Sequence, residues 1–248
     1  MHNLGETRSA RRADHLLLTP DTFVRTPVPG MKRCTAIVHA GPAIGAAFTQ
    51  YTAEFEAGGE LGETEAQRFV YVLEGKLRIE TKGKRSEVGP RGYLFAPEGL
   101  SHKVLASSAG RAAVIEKTYQ AVESVKAPGL IVSSEDEVVS NALGGDKDLQ
   151  VKCLLPDTPA FDFAVNTMVY QPGAALSMVE MHVMEHGLLM LEGGGIYRLG
   201  DSWYPVTAGD FIWMGPWCPQ WFGAIGKAPA KYLIYKDWNR HPLASRSA

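Results

Sequence analysis

Cysteine is scarce in this 248-residue chain, and its three copies, Cys34, Cys153 and Cys218, are odd in number and far apart. They form neither a disulfide framework nor a thiolate pair at metal-binding spacing, which points to a reducing compartment. Long apolar runs are missing as well, and nothing approaches the ~20 residues of a membrane-spanning helix. Near the start, Arg8, Arg11 and Arg12 are followed only by the short run Leu16 to Leu18, too brief for the hydrophobic region of a signal peptide. The expectation is a cytoplasmic protein without membrane contact. Charge of one sign is also lacking, with a formal net charge of -2. Phosphate binding relies on clustered Lys and Arg, so no nucleic-acid partner is expected and a small molecule is the better fit.

What is present is enough apolar material for a sizeable core, 45% hydrophobic residues against 21% charged. It is distributed in short runs: Val70 to Leu73, Leu94 to Ala96, Ala112 to Ile115, Leu188 to Leu191, Phe211 to Met214 and Tyr232 to Tyr235. Each has strand length and is bounded by Gly, Pro or Asp, while sustained helical periodicity is hard to find, so the chain is expected to be all-β. Ser134 to Ala142 reads as a short helix or a turn.

The chain also repeats itself. Val70-Tyr71-Val72-Leu73-Glu74-Gly75 matches Leu188-Leu189-Met190-Leu191-Glu192-Gly193 at an offset of about 118 residues. At the same offset Gly92 to Pro97 falls near Asp210 to Gly215, and His102 falls on Gln220. Two domains follow, 1–130 and 131–248, with the seam in the Ser-, Gly- and Asp-rich segment 127–157.

The most informative stretch is Met178-Val179-Glu180-Met181-His182-Val183-Met184-Glu185-His186. Read as an extended strand, it sends Glu180, His182 and His186 to one face and Val179, Met181 and Val183 to the other. A buried carboxylate beside two imidazoles is costly unless a cation compensates, so the three are candidate metal ligands. Gln220, after Gly209, Gly215 and Pro216 at the end of a strand and turn, is the candidate fourth. Imidazole with carboxylate suits Mn, Fe, Zn or Ni; lack of thiolate disfavours a closed structural zinc, and the hard amide oxygen tilts the choice toward Mn2+. Tyr197, Tyr232 and Lys236 are further candidates, the last two sharing one face of the final strand.

Gly173, Glu180, His182, His186 and Gly193, followed by Gly209 and Gln220, resemble the paired motifs of the cupin superfamily. Glu stands at the usual first His, His at the usual Glu and Gln at the usual last His. This implies two tandem jelly-roll β-barrels, a bicupin. In the first half, Gly92 to His102 resembles the second motif, but Gly62, Thr64 and Arg68 occupy the positions of Glu180, His182 and His186. Only His102 remains, so that metal site is expected to be degenerate. Glu63, Glu65 and Gln67 would serve only after a one-residue slip that reverses the faces.

A narrower resemblance runs from Leu17-Leu18-Thr19-Pro20-Asp21 and Pro29-Gly30 through Gly92-Tyr93 and Pro172-Gly173-Ala174 to Glu180-x-His182-x-x-Glu185-His186-Gly187, and ends in Tyr235-Lys236-Asp237-Trp238-Asn239-Arg240. The chain thereby resembles the (S)-ureidoglycine aminohydrolases of purine and allantoin catabolism, manganese-dependent bicupins. The resemblance implies Mn2+ on Glu180, His182, His186 and Gln220, substrate contacts from Tyr197, Tyr232 and Lys236, and catalytic parts for Glu180 and Lys236. The reaction it implies is (S)-ureidoglycine plus water giving (S)-ureidoglycolate and ammonia. Two other readings fit a cupin with two His and one carboxylate: an Fe(II)-dependent dioxygenase, or a non-catalytic small-ligand-binding module. Exposed barrel edges make a homo-oligomer the expected assembly.

Overall fold

The computed structural model describes residues 6–240. Among these there is no α-helix; apart from three single-turn 3-10 segments the regular structure is strand. Among the described residues no helix is long and apolar enough to cross a membrane. The six apolar runs fall inside the strands Gln67–Glu74, Gly92–Ala96, Gly110–Lys117, His186–Glu192, Phe211–Met214 and Ala230–Asp237. They read as continuous apolar runs because both faces are covered: all five residues of Gly92–Ala96 and all four of Phe211–Met214 are buried. Glu135–Glu137 is a 3-10 turn whose N-cap, Ser134, accepts the amide hydrogen of Asp136.

The chain divides into two compact units, and not at the 1–130/131–248 seam. One unit is residues 24–138; the other joins residues 6–23 to 139–240. The difference lies in two short strands. Ile131–Ser134, which opens the second repeat, pairs antiparallel with Gly92–Ala96 and completes the first unit. His15–Leu18, which opens the first repeat, pairs with Phe211–Met214 and belongs to the second. Each covers an apolar strand edge that would otherwise present unpaired backbone groups, and Leu17 becomes fully buried in doing so. Arg8 reinforces the second junction with a two-pronged ion pair to the buried carboxylate of Asp210.

Within each unit the duplication keeps register. Arg68 pairs across to Ala96 in the first and His186 to Met214 in the second, both partners displaced by the same 118 positions. His102 and Gln220 each open a strand, His102–Ala106 and Gln220–Ala224. The tight turn after the first long strand of each motif is glycine in both units. Gly75 and Gly193 have φ of +77° and +62°, and a Cβ would lie 2.5 Å from the carbonyl oxygens of Ala109 and Pro229.

The first core gathers Tyr51, Phe55, Val70, Val72, Leu94 and Val114. The second gathers Tyr170, Leu188, Met190, Ile212, Phe222 and Ile234. Alternation places His186, Leu188 and Met190 on the same inward face, and likewise Gln220 with Phe222, Tyr197 with Leu199, and Tyr232, Ile234 with Lys236. The candidate site residues are therefore continuous with the apolar floor of the second barrel.

Candidate functional site

Glu180 and His182 do not lie on a strand. Of residues 177–185 only Glu180 pairs, in an isolated bridge to Gln220, and the strand begins at His186. The reason is geometric. Six residues of extended chain would carry His186 about 20 Å from Glu180, too far to share anything, so the segment must bend for these groups to meet. Two backbone attachments set the bend. Glu180 and Gln220 exchange N–H···O=C bonds of 2.8 Å in both directions, and Trp217 donates its N–H to the carbonyl of His182 at 2.6 Å. The expected split of the faces holds only in part: Val179 and Met181 are exposed, Val183 is half-buried, and Glu180 and His182 are about one third exposed.

The bend brings four candidates together. His182 Nε2 lies 3.1 Å from Glu180 Oε2, the His182 and His186 rings meet edge to face at 5.5 Å, and Gln220 is bound to Glu180 through the bridge. Tyr197 donates its hydroxyl to Gln220 Oε1 at 3.3 Å, orienting the amide so that this oxygen is its fixed end. Lys236 sits directly across from His186 on the neighbouring strand. Tyr232, four residues earlier on that strand, lies deeper and shares a 2.7 Å hydroxyl contact with Tyr170.

Electrostatics follow burial. Desolvation holds His186 well below the ordinary histidine range, and the neighbouring Lys236 and His182 charges add to it, so its imidazole is neutral. Desolvation also lowers Lys236, an effect opposed by the Glu180 carboxylate. Tyr197 and Tyr232 are pushed well above the ordinary tyrosine value by burial, which keeps both hydroxyls protonated and able to donate.

The donor set suits a cation. His186 Nδ1 is buried with no hydrogen-bond partner, and a neutral imidazole nitrogen in that state has a lone pair or a proton to place. A carboxylate, two imidazoles and an amide oxygen fit a divalent metal of borderline or hard character. The three His and Glu donor atoms are not all within 4.8 Å of one another, so closing on one ion takes side-chain movement, for which the part-exposed Glu180 and His182 have room.

Two features escaped the sequence reading. Tyr170 is fully buried against Tyr232 and Phe222, the latter edge to face at 4.9 Å. Its only sequence signal is its place on an alternating strand just before the Pro172-Gly173 turn. The segment Tyr235 to Arg240, by contrast, sends only Lys236 toward the site. Trp238 donates to Asp157, Asn239 Nδ2 to the carbonyls of Thr158 and Phe161, and Arg240 to that of Pro159. Trp238, Asn239 and Arg240 therefore anchor a loop.

The corresponding place in the first barrel is filled from within. Arg68 donates through Nε to Glu116 at 2.7 Å, and through one terminal nitrogen to the carbonyl of Gly62 at 2.7 Å and to His102 Nε2 at 3.2 Å. His102 Nδ1 donates in turn to the Leu100 carbonyl. A guanidinium thus satisfies the imidazole and carboxylate there, and the surviving His102 is a hydrogen-bond acceptor for it. Glu63 is engaged with Ser101 instead.

Two domain models match the chain, a cupin domain over residues 166–235 and an EutQ-like cupin domain over residues 44–126. The (S)-ureidoglycine aminohydrolase of Arabidopsis thaliana is 38% identical over 242 residues, covering 96% of this chain and 80% of that protein. The enzyme of the same name from Escherichia coli K12 is 30% identical, covering 96% and 93%. The crystal structure of the E. coli protein Ylba superposes with a TM-score of 0.83 at 28% identity, over 95% of this chain and 96% of that one.

Proposed function

The chain belongs to the (S)-ureidoglycine aminohydrolase family, and we infer that it is a hydrolase converting (S)-ureidoglycine and water to (S)-ureidoglycolate and ammonia. The observation that carries the assignment to this site is the meeting of Glu180, His182, His186 and Gln220 beside Lys236 and two buried tyrosines. We propose that the first four hold Mn2+. Bound there, the metal would supply Lewis acidity to an oxygen of substrate or water.

The rest of the work falls to the chain's own groups. Glu180 accepts the proton of the attacking water at Oε2, and His182 Nε2, 3.1 Å away, holds that carboxylate in place. The Lys236 ammonium faces the substrate carboxylate from the strand beside His186. Tyr232, kept protonated, presents a hydroxyl donor to the ureido carbonyl, and Tyr197, whose proton is given to Gln220 Oε1, offers its oxygen as an acceptor to a ureido N–H. Tyr170 fixes the Tyr232 rotamer through their shared hydrogen bond. The proton taken up by Glu180 is handed to the departing amine, so one C–N bond breaks as one C–O bond forms and ammonia leaves the carbon that gains the hydroxyl.

Substituting Lys236→Met is expected to raise KM about 10- to 100-fold, the loss of one charge-assisted contact of about 1.5–3 kcal/mol. A smaller change in kcat than in KM is the pattern to look for. The central experiment measures metal content of the purified protein together with anaerobic ammonia release from freshly generated ureidoglycine. Manganese in the protein, activity without oxygen and loss on chelation are the expected results; iron with obligatory oxygen uptake would overturn the assignment in favour of a dioxygenase. Ligand binding without turnover would point instead to a binding module.

A cytoplasmic location is supported by three unpaired cysteines, Cys34, Cys153 and Cys218. Self-association as a homo-oligomer is supported by the exposed Met178, Met181 and Trp217.

A further inference from the structure

A second cluster of lone-pair atoms lies outside these residues, where the N-terminal strand joins the second barrel. Donor atoms of Asp14, His15 and Cys218 all lie within 4.8 Å of one another. We propose that these three bind a thiophilic divalent cation, Zn2+ by preference, as a clip between the two ends of the chain.

The backbone holds all three in place. His15 is paired with Met214 in the ladder, Gly215 donates its N–H to the Asp14 carbonyl at 2.8 Å, and Cys218 donates its own to Gly215 at 3.2 Å. His15 and Cys218 are buried, whereas Asp14 is 42% exposed and leaves an entry path. Gly200 completes the wall: at φ +56° it has no Cβ, and one placed there would come within 2.9 Å of Asp14 Oδ2.

The histidine is oriented as a ligating imidazole usually is. Its Nε2 has an oxygen partner, Tyr204 Oη at 2.9 Å, leaving Nδ1 to Asp14 Oδ1 at 2.8 Å, and the Cys218 sulfur lies within 4.8 Å of a ring nitrogen. Zinc bonds of about 2.0–2.3 Å need the Nδ1 and Oδ1 atoms to open by roughly a few tenths of an ångström, a movement the exposed Asp14 side chain can make. Thiolate, imidazole and carboxylate make a softer set than Glu180, His182, His186 and Gln220, so the two places select different metals. Water can occupy the fourth position through the open side at Asp14. The competing account is a proton on Nδ1 shared with Asp14 and no metal at all.

Cobalt separates the two, because only thiolate ligation gives an intense sulfur-to-cobalt charge-transfer band in the near ultraviolet, and the Glu180 group contains no sulfur. The full-length protein titrated with Co2+ is expected to show that band, to bind two equivalents per chain, and to lose the band when Zn2+ is added. Cys218→Ser and Asp14→Asn should each abolish the band and remove one equivalent while retaining ammonia release. Asp14→Asn, at a half-exposed position, serves should Cys218→Ser disturb folding. Absence of the band in the unaltered protein, or its survival in Cys218→Ser, overturns the proposal, and neither result bears on the ureidoglycine reaction.

Discussion

Glu180→Gln is expected to lower kcat for ammonia release by about 10²- to 10⁴-fold, the usual contribution of a positioned general base. The substitution keeps the side chain's size and one oxygen donor, and the backbone bridge to Gln220 does not involve the side chain. Metal content should therefore change little, and KM should stay within a few fold. What disappears is the carboxylate that receives a proton. Activity near that of the unaltered enzyme with metal retained would assign proton removal to another group. His186→Ala would behave differently, because a buried imidazole with an unpartnered Nδ1 is replaced by a cavity, and metal content and activity should fall together.

Arg68→Met should destabilise the first barrel by about 3 kcal/mol, the low end of the cost of breaking a buried ion pair. Arg68 is 3% exposed and Glu116 18%, so the stranded carboxylate keeps some access to water. The loss extends beyond one pair, since the carbonyl of Gly62 and Nε2 of His102 lose their donor as well. Adding Glu116→Leu is expected to recover most of the deficit, because replacing both members of a buried pair by apolar groups is often neutral. Amide hydrogen exchange in Gln67–Glu74 and Gly110–Lys117, the paired strands carrying Arg68 and Glu116, reads the effect. An unchanged exchange pattern in Arg68→Met would mean that the guanidinium merely fills space.

These two sites grew from one repeat, and their divergence explains what the amino-acid sequence could reveal. The strands were legible because buried strands are written as apolar runs, and the repeat was legible because Arg68 and His186 keep the same ladder position 118 residues apart. The Glu180, His182 and His186 spacing pointed to residues that the structure brings near one another, but through an incomplete geometry. A common face is necessary, but only the bend across 177–185, set by Trp217 and Gln220, supplies closeness. Nothing local marks that bend. Tyr170 was invisible because a tyrosine on an alternating strand resembles any core tyrosine until its hydroxyl partner is known. The Asp14, His15 and Cys218 cluster was hidden by separation, Cys218 lying about two hundred positions from the adjacent Asp14 and His15.

The strand His15–Leu18 has a further consequence for how the protein is made. It is translated some two hundred codons before its partner Phe211–Met214, an interval of roughly 10 to 40 s at ordinary elongation rates. The intervening barrel can complete itself as soon as Ile131–Ser134 emerges, so it folds while three consecutive leucines wait uncovered upstream. Nascent chains should accordingly engage holding chaperones through this strand until Phe211–Met214 emerges, and truncations that remove Phe211–Met214 should aggregate through it.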